Sequence, residues 1–336
     1  MEMDNFIPQI LRYVAVLLLM ILPADIPAQD PVVPRKAIPE VVSTVAFTEG
    51  PVYHADGSVY FTDTSNNRIM RSAPGAQPDS RRTLEVYRTP SGRANGLVFD
   101  LEGRLVACEG GSRRVTRTER DGGITVLAAS YQGKQFNSPN DIDVDARGRL
   151  YFTDPRYGDR SGMEMDKEAV YRIDPDGPDG KVTRVIDDLE RPNGLAVSPD
   201  QKTLYVVDNN NSAGGSRKIY AYELRADGST GNRRVIHDFG VSRGGDGMCL
   251  DSRGNLYVAA GLNTPNPPAE SGPAKAGVYI FSPTGKQLGF IPIPEDTVTN
   301  CTFGDPDFKT LYITAGKTLF RIRMNIPGHL LWPKAK

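Results

Sequence analysis

The segment DGSVYFTD (residues 56–63) is the first of six related stretches that decide the fold of this chain. Each stretch places a turn pair in front of a run of β-branched and aromatic residues, which is typical of a hairpin that leads into a strand. The other five copies are EGRLVACE (102–109), RGRLYFTD (147–154), QKTLYVVD (201–208), RGNLYVAA (253–260) and FKTLYITA (308–315). Six diverged copies predict a fold that is built by repeating one small unit.

Further strand-like runs flank every copy. The runs that follow are RIMRS, RVTRT, AVYRI, KIYAY, GVYIF and TLFRI, and the runs that precede are EGPVY (from Glu49), NGLVF (from Asn95), NDIDV (from Asn140), NGLAV (from Asn193), DGMCL (from Asp246) and NCTFG (from Asn300). The preceding runs begin 45 to 54 residues apart. A repeat of that length, made of four short strands, is typical of a propeller blade. The sequence therefore predicts an all-β, six-bladed β-propeller.

The last unit supplies only three strand signals before the chain ends. We predict that the N-terminal stretch Glu40–Ala46 adds the missing outer strand of the final blade and so closes the ring. In this interpretation residues 29–336 form one propeller domain.

Residues 1–28 differ in character from the rest of the chain. Arg12 precedes an apolar run from Tyr13 to Leu22, and a proline-containing stretch then ends at Ala28. This pattern predicts a signal peptide, with an uncleaved N-terminal anchor as the alternative because Glu2 and Asp4 weaken the basic start. We therefore expect a periplasmic or secreted protein, with no stable membrane span once the signal is removed.

Composition excludes some classes of function. Lys and Arg number 40 against 41 Asp and Glu, a balance that gives no basic footprint for nucleic acid. The three cysteines, Cys108, Cys249 and Cys301, are odd in number and lack a CxxC spacing, so they favour small buried residues over a disulfide scaffold or a zinc site. A bridge between Cys249 and Cys301 stays open.

The residues that open the six innermost strands are the candidates for function. In a propeller these strands line the central tunnel, so their first residues form a ring at one tunnel mouth. The ring consists of Glu49, Asn95, Asn140, Asn193, Asp246 and Asn300. Asn and Asp also begin many turns, so one such residue would indicate little, but all six carry a side-chain oxygen in the same register.

This set of oxygen donors predicts a hard divalent cation. Ca²⁺ takes oxygen ligands from carboxylates and amides, and two carboxylates balance its charge. We predict Ca²⁺, with Mg²⁺, Mn²⁺ and Zn²⁺ as alternatives; Zn²⁺ is the least favoured because none of the three histidines lies in the ring.

Long loops are predicted over one side of the same tunnel mouth. The connections between the second and third strands of blades three, four and five are long: Arg156–Glu168, Asn209–Arg217 and Gly261–Ala276. Loops that cover a metal mouth on one side are suited to form a substrate pocket. Arg156 and Tyr157 are therefore candidate substrate contacts.

At these motifs the sequence resembles the gluconolactonase family that includes regucalcin. The similarity extends from about Val45 to the end of the last blade, and its specific parts are EGPVY (from Glu49), FNSPND (Phe136–Asp141), FTDPRYG (Phe152–Gly158), RPNGLAVSPD (Arg191–Asp200) and GGDGMCLD (Gly244–Asp251). The resemblance implies a six-bladed propeller hydrolase that holds one divalent metal and opens a lactone such as glucono-1,5-lactone.

The resemblance also implies roles for individual residues. Glu49, Asn193 and Asp246 match metal ligands, and Asp246 also matches a general base. Asn140 matches a residue that contacts substrate in some members and the metal in related phosphotriesterases, so it is a candidate for both roles. Asn95 and Asn300 complete the polar wall as candidate substrate contacts. Animal members carry Arg at the position of Ser138, which leaves the identity of the lactone open.

Two other functions remain compatible with the ring. A metal-dependent phosphotriesterase would use the same ligands, because they barely distinguish carbonyl from phosphoryl chemistry. A non-catalytic propeller would use calcium only to join its blades. The asymmetric long loops favour an enzyme over this second alternative.

Overall fold

The computed structural model describes residues 31–35, 37–75, 81–175 and 181–333. The predicted leader, residues 1–28, lies outside the described residues. Within them the chain forms 26 β-strands and no helix, and accordingly no helix long and apolar enough to cross a membrane.

Six four-stranded antiparallel sheets follow one another along the chain. Blade one contains β2 (Thr48–Tyr53), β3 (Val59–Asp63), β4 (Arg68–Ala73) and β5 (Thr83–Arg88); blade two contains β6 (Ala94–Phe99), β7 (Leu105–Glu109), β8 (Arg114–Thr118) and β9 (Ile124–Ala128). A small hairpin of β10 (Ser130–Tyr131) and β11 (Lys134–Gln135) precedes blade three, which contains β12 (Ile142–Val144), β13 (Leu150–Asp154), β14 (Ala169–Ile173) and β15 (Val182–Ile186).

The second half of the chain repeats the arrangement. Blade four contains β16 (Pro192–Val197), β17 (Thr203–Asn209), β18 (Arg217–Leu224) and β19 (Thr230–Asp238); blade five contains β20 (Gly245–Leu250), β21 (Leu256–Ala260), β22 (Gly277–Phe281) and β23 (Gln287–Pro292). Blade six contains β24 (Val298–Gly304), β25 (Thr310–Ala315), β26 (Thr318–Arg323) and, as its outer strand, β1 (Glu40–Thr44). The predicted six-bladed propeller is confirmed, and so is its closure by the N-terminal strand.

Burial decreases from the inner strand of a blade to its outer strand. In blade one every residue of β2 and β3 is buried, whereas β5 is largely exposed. The inner strands β2, β6, β12, β16, β20 and β24 contact one another in that order, and β24 contacts β2 again. These contacts close the ring around a central tunnel.

Six apolar cores hold the blades together, one at each boundary between neighbouring blades. At the boundary of blades five and six, for example, Tyr257 and Phe303 pack edge to face with ring centroids 5.0 Å apart. Full burial of one such aromatic side chain stabilises the fold by about 1.5–3 kcal/mol. Because each core draws on two blades, no blade can bury its own faces alone.

The inner strands approach one another closely at the predicted ring. Gly50 has a positive φ of 43°, and a Cβ atom there would lie 2.0 Å from the backbone oxygen of Asn95. Five of the six inner strands also show a register irregularity beside their ring residue. A bulge of this kind redirects side chains, which places those of the ring residues toward the tunnel.

The C-terminal tail covers the opposite end of the tunnel. Gly328 forms a β-bridge with Asp251, and the amide of His329 donates to the Leu250 carbonyl at 2.9 Å. Trp332 packs on Phe99, with ring centroids 4.8 Å apart. Between this tail and the ring lies a tunnel cavity of about 100 Å³. All three cysteines are free thiols, so the Cys249–Cys301 bridge left open by the sequence is not formed in this structure.

We predict that removal of β1 destabilises the whole ring. A chain that begins at Val45 leaves the β26 edge unpaired, and it loses the register that joins Glu40 to Arg321, whose Nε atom lies 3.1 Å from the Glu40 carboxylate. Calorimetry should show a melting temperature lower by roughly 5 °C or more, and size-exclusion chromatography should show self-association through the open edge.

A chain that begins at Pro31 is the matched control, because it retains every described strand. Equal melting temperatures for the two chains would show that the pairing of β1 with β26 does not stabilise the propeller.

Candidate metal and catalytic site

The predicted ring residues all lie at one mouth of the tunnel, each at or just before the start of an inner strand. Glu49, Asn193, Asp246 and Asn300 are nearly fully buried, with 5%, 4%, 8% and 6% of their surface exposed. Asn95 and Asn140 are half-buried. Residues from six separate segments thus converge where the repeats predicted, and their proposed roles stay predictions.

Acidic side chains accumulate inside this ring. Burial, together with the nearby carboxylates of Asp246 and Asp141, raises the pKa of Glu49 well above its ordinary value. The direct partner of the Glu49 carboxylate is the amide of Gly50, which donates to Oε2 at 3.1 Å. Acids that repel each other in a buried cavity take up either protons or a cation.

Arg243 partly compensates the charge at Asp246. Its Nη2 atom donates to Asp246 Oδ2 at 2.5 Å, and its Nη1 atom donates to the Val298 carbonyl at 2.9 Å. Burial raises the pKa of Asp246, while the charge of Arg243 and a hydrogen bond from the Asn193 side chain oppose that rise. The side chain of Asn193 therefore lies near the Asp246 carboxylate, as expected if the two residues belong to one site.

Asp141 is a further acid in the site that the sequence analysis did not assign. Its Oδ2 atom accepts a hydrogen bond from Asn300 Nδ2 at 3.2 Å, which joins blades three and six across the tunnel. Burial raises its pKa to about 7. The sequence did contain a signal, because Asp141 follows its ring residue where blades one, two, four and five have glycine.

The donors of the ring fit a hard divalent cation. The described residues contain no group of three or more His, Cys, Asp or Glu arranged as a metal site. The ring instead combines the carboxylates of Glu49 and Asp246 with amide oxygens, which are the ligands that Ca²⁺ and Mg²⁺ prefer. A bound cation would also balance the negative charge of the ionised carboxylates, which the single positive charge of Arg243 does not balance.

Tyr157 joins the site from the long loop of blade three. Its hydroxyl accepts a hydrogen bond from Asn193 Nδ2 at 2.9 Å and donates to the Asn209 carbonyl at 3.1 Å. Burial and the charge of Asp246 raise its pKa well above the ordinary value for tyrosine, so the neutral hydroxyl faces the acids. Tyr157 therefore contacts the ring through Asn193, and its predicted contact with substrate stays a prediction.

Arg156 braces the loop instead of reaching the ring. Its Nη1 atom donates to the Asn137 carbonyl at 3.0 Å and its Nε atom to the Asp159 carbonyl at 2.7 Å. Asp159 belongs to the same loop, and Asn137 belongs to the segment that leads into blade three. Its predicted contact with substrate stays a prediction, and the structure gives it a positioning role.

The side chains of Asn95 and Asn140 are free to meet a ligand. Asn140 is anchored by its backbone, since its amide donates to the Thr153 carbonyl at 2.9 Å and its carbonyl accepts from Gly96 at 2.7 Å. The Asn95 carbonyl accepts from the Thr62 hydroxyl at 3.0 Å. Within the described chain, neither side-chain amide has a hydrogen-bond partner of its own.

A buried ion pair holds the loops above the site. The Arg191 guanidinium lies over the Tyr157 ring at 5.3 Å, contacts Glu168 at 3.3 Å and donates to Asn211 at 2.7 Å. The Glu168 carboxylate also accepts from the Arg156 amide at 2.7 Å and pairs with Arg160 at 2.6 Å. Arg191 and Glu168 thus connect the long loops of blades three and four, and neither was assigned from the sequence.

Comparison with known proteins identifies the family to which this chain belongs. Residues 47–317 match the SMP-30/Gluconolactonase/LRE-like region. The chain belongs to this family. The predicted gluconolactonase and regucalcin relationship is thereby confirmed, and with it the class of a gluconolactonase-like lactone hydrolase.

Individual members of the family cover most of the chain. A gluconolactonase from Zymomonas mobilis is 32% identical over 319 residues, which span 86% of this chain and 81% of the relative. Regucalcin from Xenopus laevis is 28% identical over 280 residues, 82% of this chain and 85% of the relative. The solved gluconolactonase from Xanthomonas campestris superimposes with a TM-score of 0.71 at 31% identity and covers 88% of this chain and 97% of its own.

We predict that the metal-free protein loses stability as the pH rises from about 4 to about 7. Burial raises the pKa of Asp141 and Asp154 to about 7 and of Asp143 to about 6. These acids keep their protons in the folded state after the unfolded chain has released them near pH 4, so protonation favours the folded state only at lower pH. Burial lowers the pKa of His237 and His329, an opposite but smaller contribution.

Urea unfolding in the presence of a chelator measures this dependence directly. The free energy of unfolding should be lower at about pH 7.5 than at about pH 5, by on the order of 2 kcal/mol or more. A profile that is flat or rises over this range would show that the buried acids are already ionised in the folded protein.

We predict that Glu168→Gln loosens the loops while leaving the blades intact. The substitution leaves the buried Arg191 guanidinium without its carboxylate, and loss of one partner of a buried pair costs about 3 kcal/mol. Hydrogen exchange measured by mass spectrometry should therefore increase in residues 155–168, with little change in the inner strands.

Glu164→Gln is the matched control in the same loop. Glu164 is exposed and lies 3.6 Å from Arg113, and a surface pair of this kind contributes about 1 kcal/mol or less. Equal exchange in the two variants would contradict a positioning role for the Arg191–Glu168 pair.

Proposed function

We propose that this protein is a divalent-cation-dependent lactonase that opens a sugar lactone such as glucono-1,5-lactone, with Ca²⁺ as its cation. The observation that carries the proposal is the burial of Glu49 and Asp246 together with Asn193 at one tunnel mouth, beneath the loop of Tyr157. The relatives named gluconolactonase support the choice of substrate.

Glu49, Asn193 and Asp246 would hold the cation, with Asn140 as a further ligand or a substrate contact. When bound, a divalent cation supplies Lewis-acid polarisation of a carbonyl oxygen. The chain supplies the buried ring that holds the two carboxylates in place, so that little reorganisation is needed when charge develops on the substrate.

Asp246 is proposed as the base. It accepts a proton from the attacking water while the water oxygen bonds to the lactone carbonyl carbon. The ring C–O bond then breaks, and the proton returns from Asp246 to the leaving ring oxygen. Arg243 holds the Asp246 carboxylate in one orientation, and burial raises the pKa of this carboxyl group in the metal-free protein.

The amide side chains are proposed to orient the sugar. Asn95 and Asn140 offer half-buried side-chain amides at the mouth, and Asn300 adds a polar group beside them. The Tyr157 hydroxyl closes the same wall above Asn193. Groups that can both donate and accept suit the hydroxyls of a sugar lactone, and such positioning contributes to rate by fixing the reacting geometry.

We also propose that the protein is exported to the periplasm or secreted. The apolar run Tyr13–Leu22 followed by Ala28 supports this location. N-terminal sequencing of the mature protein from fractionated cells would test it, with cleavage near residue 28 as the expected result.

We predict that purified protein contains about one divalent cation per chain and hydrolyses glucono-1,5-lactone at neutral pH. A chelator should abolish the activity and Ca²⁺ should restore it. Asp246→Asn and Glu49→Gln should each lower kcat/KM by roughly 100-fold or more, whereas Glu85→Gln, an exposed carboxylate on outer strand β5, should not change it. Metal analysis and a lactone panel measure these effects.

The same panel separates the alternatives. Turnover of a fluorophosphate without turnover of any lactone would replace the proposal by a phosphotriesterase. Turnover of neither, together with a melting temperature that falls when Ca²⁺ is removed, would identify a non-catalytic propeller whose cation joins the blades.

A further inference from the structure

Two thiols meet on the tunnel wall below the ring. The Sγ atoms of Cys249 and Cys301 lie 3.3 Å apart, although 52 positions separate the residues in the chain. Cys249 belongs to β20 and Cys301 to β24, so the pair joins blades five and six. Both residues line the tunnel cavity of about 100 Å³. The proposed hydrolysis uses neither thiol.

The backbone brings these thiols together and holds them there. Strands β20 and β24 approach so closely that a Cβ atom on Gly247 would lie 2.0 Å from Cγ of Asn300. The apolar core between blades five and six includes Cys301 and packs against Cys249. The Cys301 thiol also lies 3.3 Å from the Tyr257 carbonyl. The two sulfur atoms therefore face each other in a rigid part of the molecule.

We propose that Cys249 and Cys301 form a disulfide between blades five and six when the protein meets a small peroxide. A disulfide bond is about 2.05 Å long, so the sulfur atoms must approach by little more than 1 Å, which side-chain rotation can supply. The pair would then be an oxidisable link directly beneath the cation site.

The chemistry balances with hydrogen peroxide as the oxidant. The Cys249 thiolate attacks one peroxide oxygen, the O–O bond breaks, and a sulfenic acid and one water form. The Cys301 thiolate then attacks the Cys249 sulfur, the S–O bond breaks, and a second water leaves. Two thiols and one peroxide thus give one disulfide and two waters.

The size of the cavity decides which oxidants can reach the thiols, and the burial of each cysteine decides which thiol reacts first. A tunnel cavity of about 100 Å³ admits a peroxide but excludes a bulky disulfide such as oxidised glutathione. Cys249 is half-buried whereas Cys301 is almost fully buried, so Cys249 is the first to react. Burial raises the pKa of the Cys249 thiol, which makes the reaction slow at neutral pH.

The test uses the full chain, reduced, desalted and then exposed to dilute hydrogen peroxide. Thiol titration in denaturant should show a decrease from three reactive thiols to one, and the intact mass should fall by two hydrogen atoms. Peptide mapping without reductant should show Cys249 joined to Cys301, and dithiothreitol should restore all three thiols.

Single substitutions give the controls. Cys249→Ser and Cys301→Ser should abolish the bridge, whereas Cys108→Ala should retain it, because Cys108 lies in a different apolar core. The oxidised wild-type protein should also melt at a higher temperature than the reduced protein, since the link constrains a long loop in the unfolded chain.

Three results would overturn the proposal. They are the persistence of all three thiols in folded protein after prolonged exposure to peroxide, oxidation that ends at sulfinic acid on one cysteine without a bridge, and a bridge that forms only between separate chains. None of these readouts depends on lactonase activity, so the proposed dithiol and the proposed function fail separately.

Discussion

The burial of several acids close together is the constraint on which the rest of this structure depends. Glu49 and Asp246 are buried near each other, with Asp141 close by, and the guanidinium of Arg243 forms an ion pair with Asp246. Such an arrangement favours separation of the acids. The acids stay close together because six apolar cores, one at each blade boundary, hold the inner strands in place.

Local backbone features convert that rigid ring into a site. Glycine after the ring residue lets neighbouring inner strands approach, as at Gly50, and the irregular register beside most ring residues directs their side chains to the axis. Blade three departs from this pattern by placing Asp141 after Asn140. The departure adds a third acid and a hydrogen bond across the tunnel to Asn300, so one substitution within the repeat changes both the charge and the symmetry of the site.

The repeat made most of the fold predictable from the sequence. Spacing and strand patterns were enough for the six blades, for the N-terminal strand that completes the last of them, and for the ring positions, because these depend on local propensity and on the geometry of the repeat. The Arg243–Asp246 pair, the Arg191–Glu168 pair and the contact of Asp141 with Asn300 were not predicted. They depend on rotamers and on the meeting of segments up to 159 positions apart, which no pattern within one blade encodes. For the same reason the sequence could not distinguish Tyr157, which reaches the ring, from Arg156, which does not.

The C-terminal tail gives the tunnel a floor. His329 and Trp332 lie across the end away from the ring, so the described part of the tail covers that end, and the ring mouth beneath the Tyr157 loop is the end that stays open to a ligand. A ligand that reaches the ring past the Tyr157 loop would leave by the same mouth, so departing product and arriving substrate would compete for it. For the proposed lactonase we therefore expect competitive inhibition by product, with product release limiting turnover at high conversion.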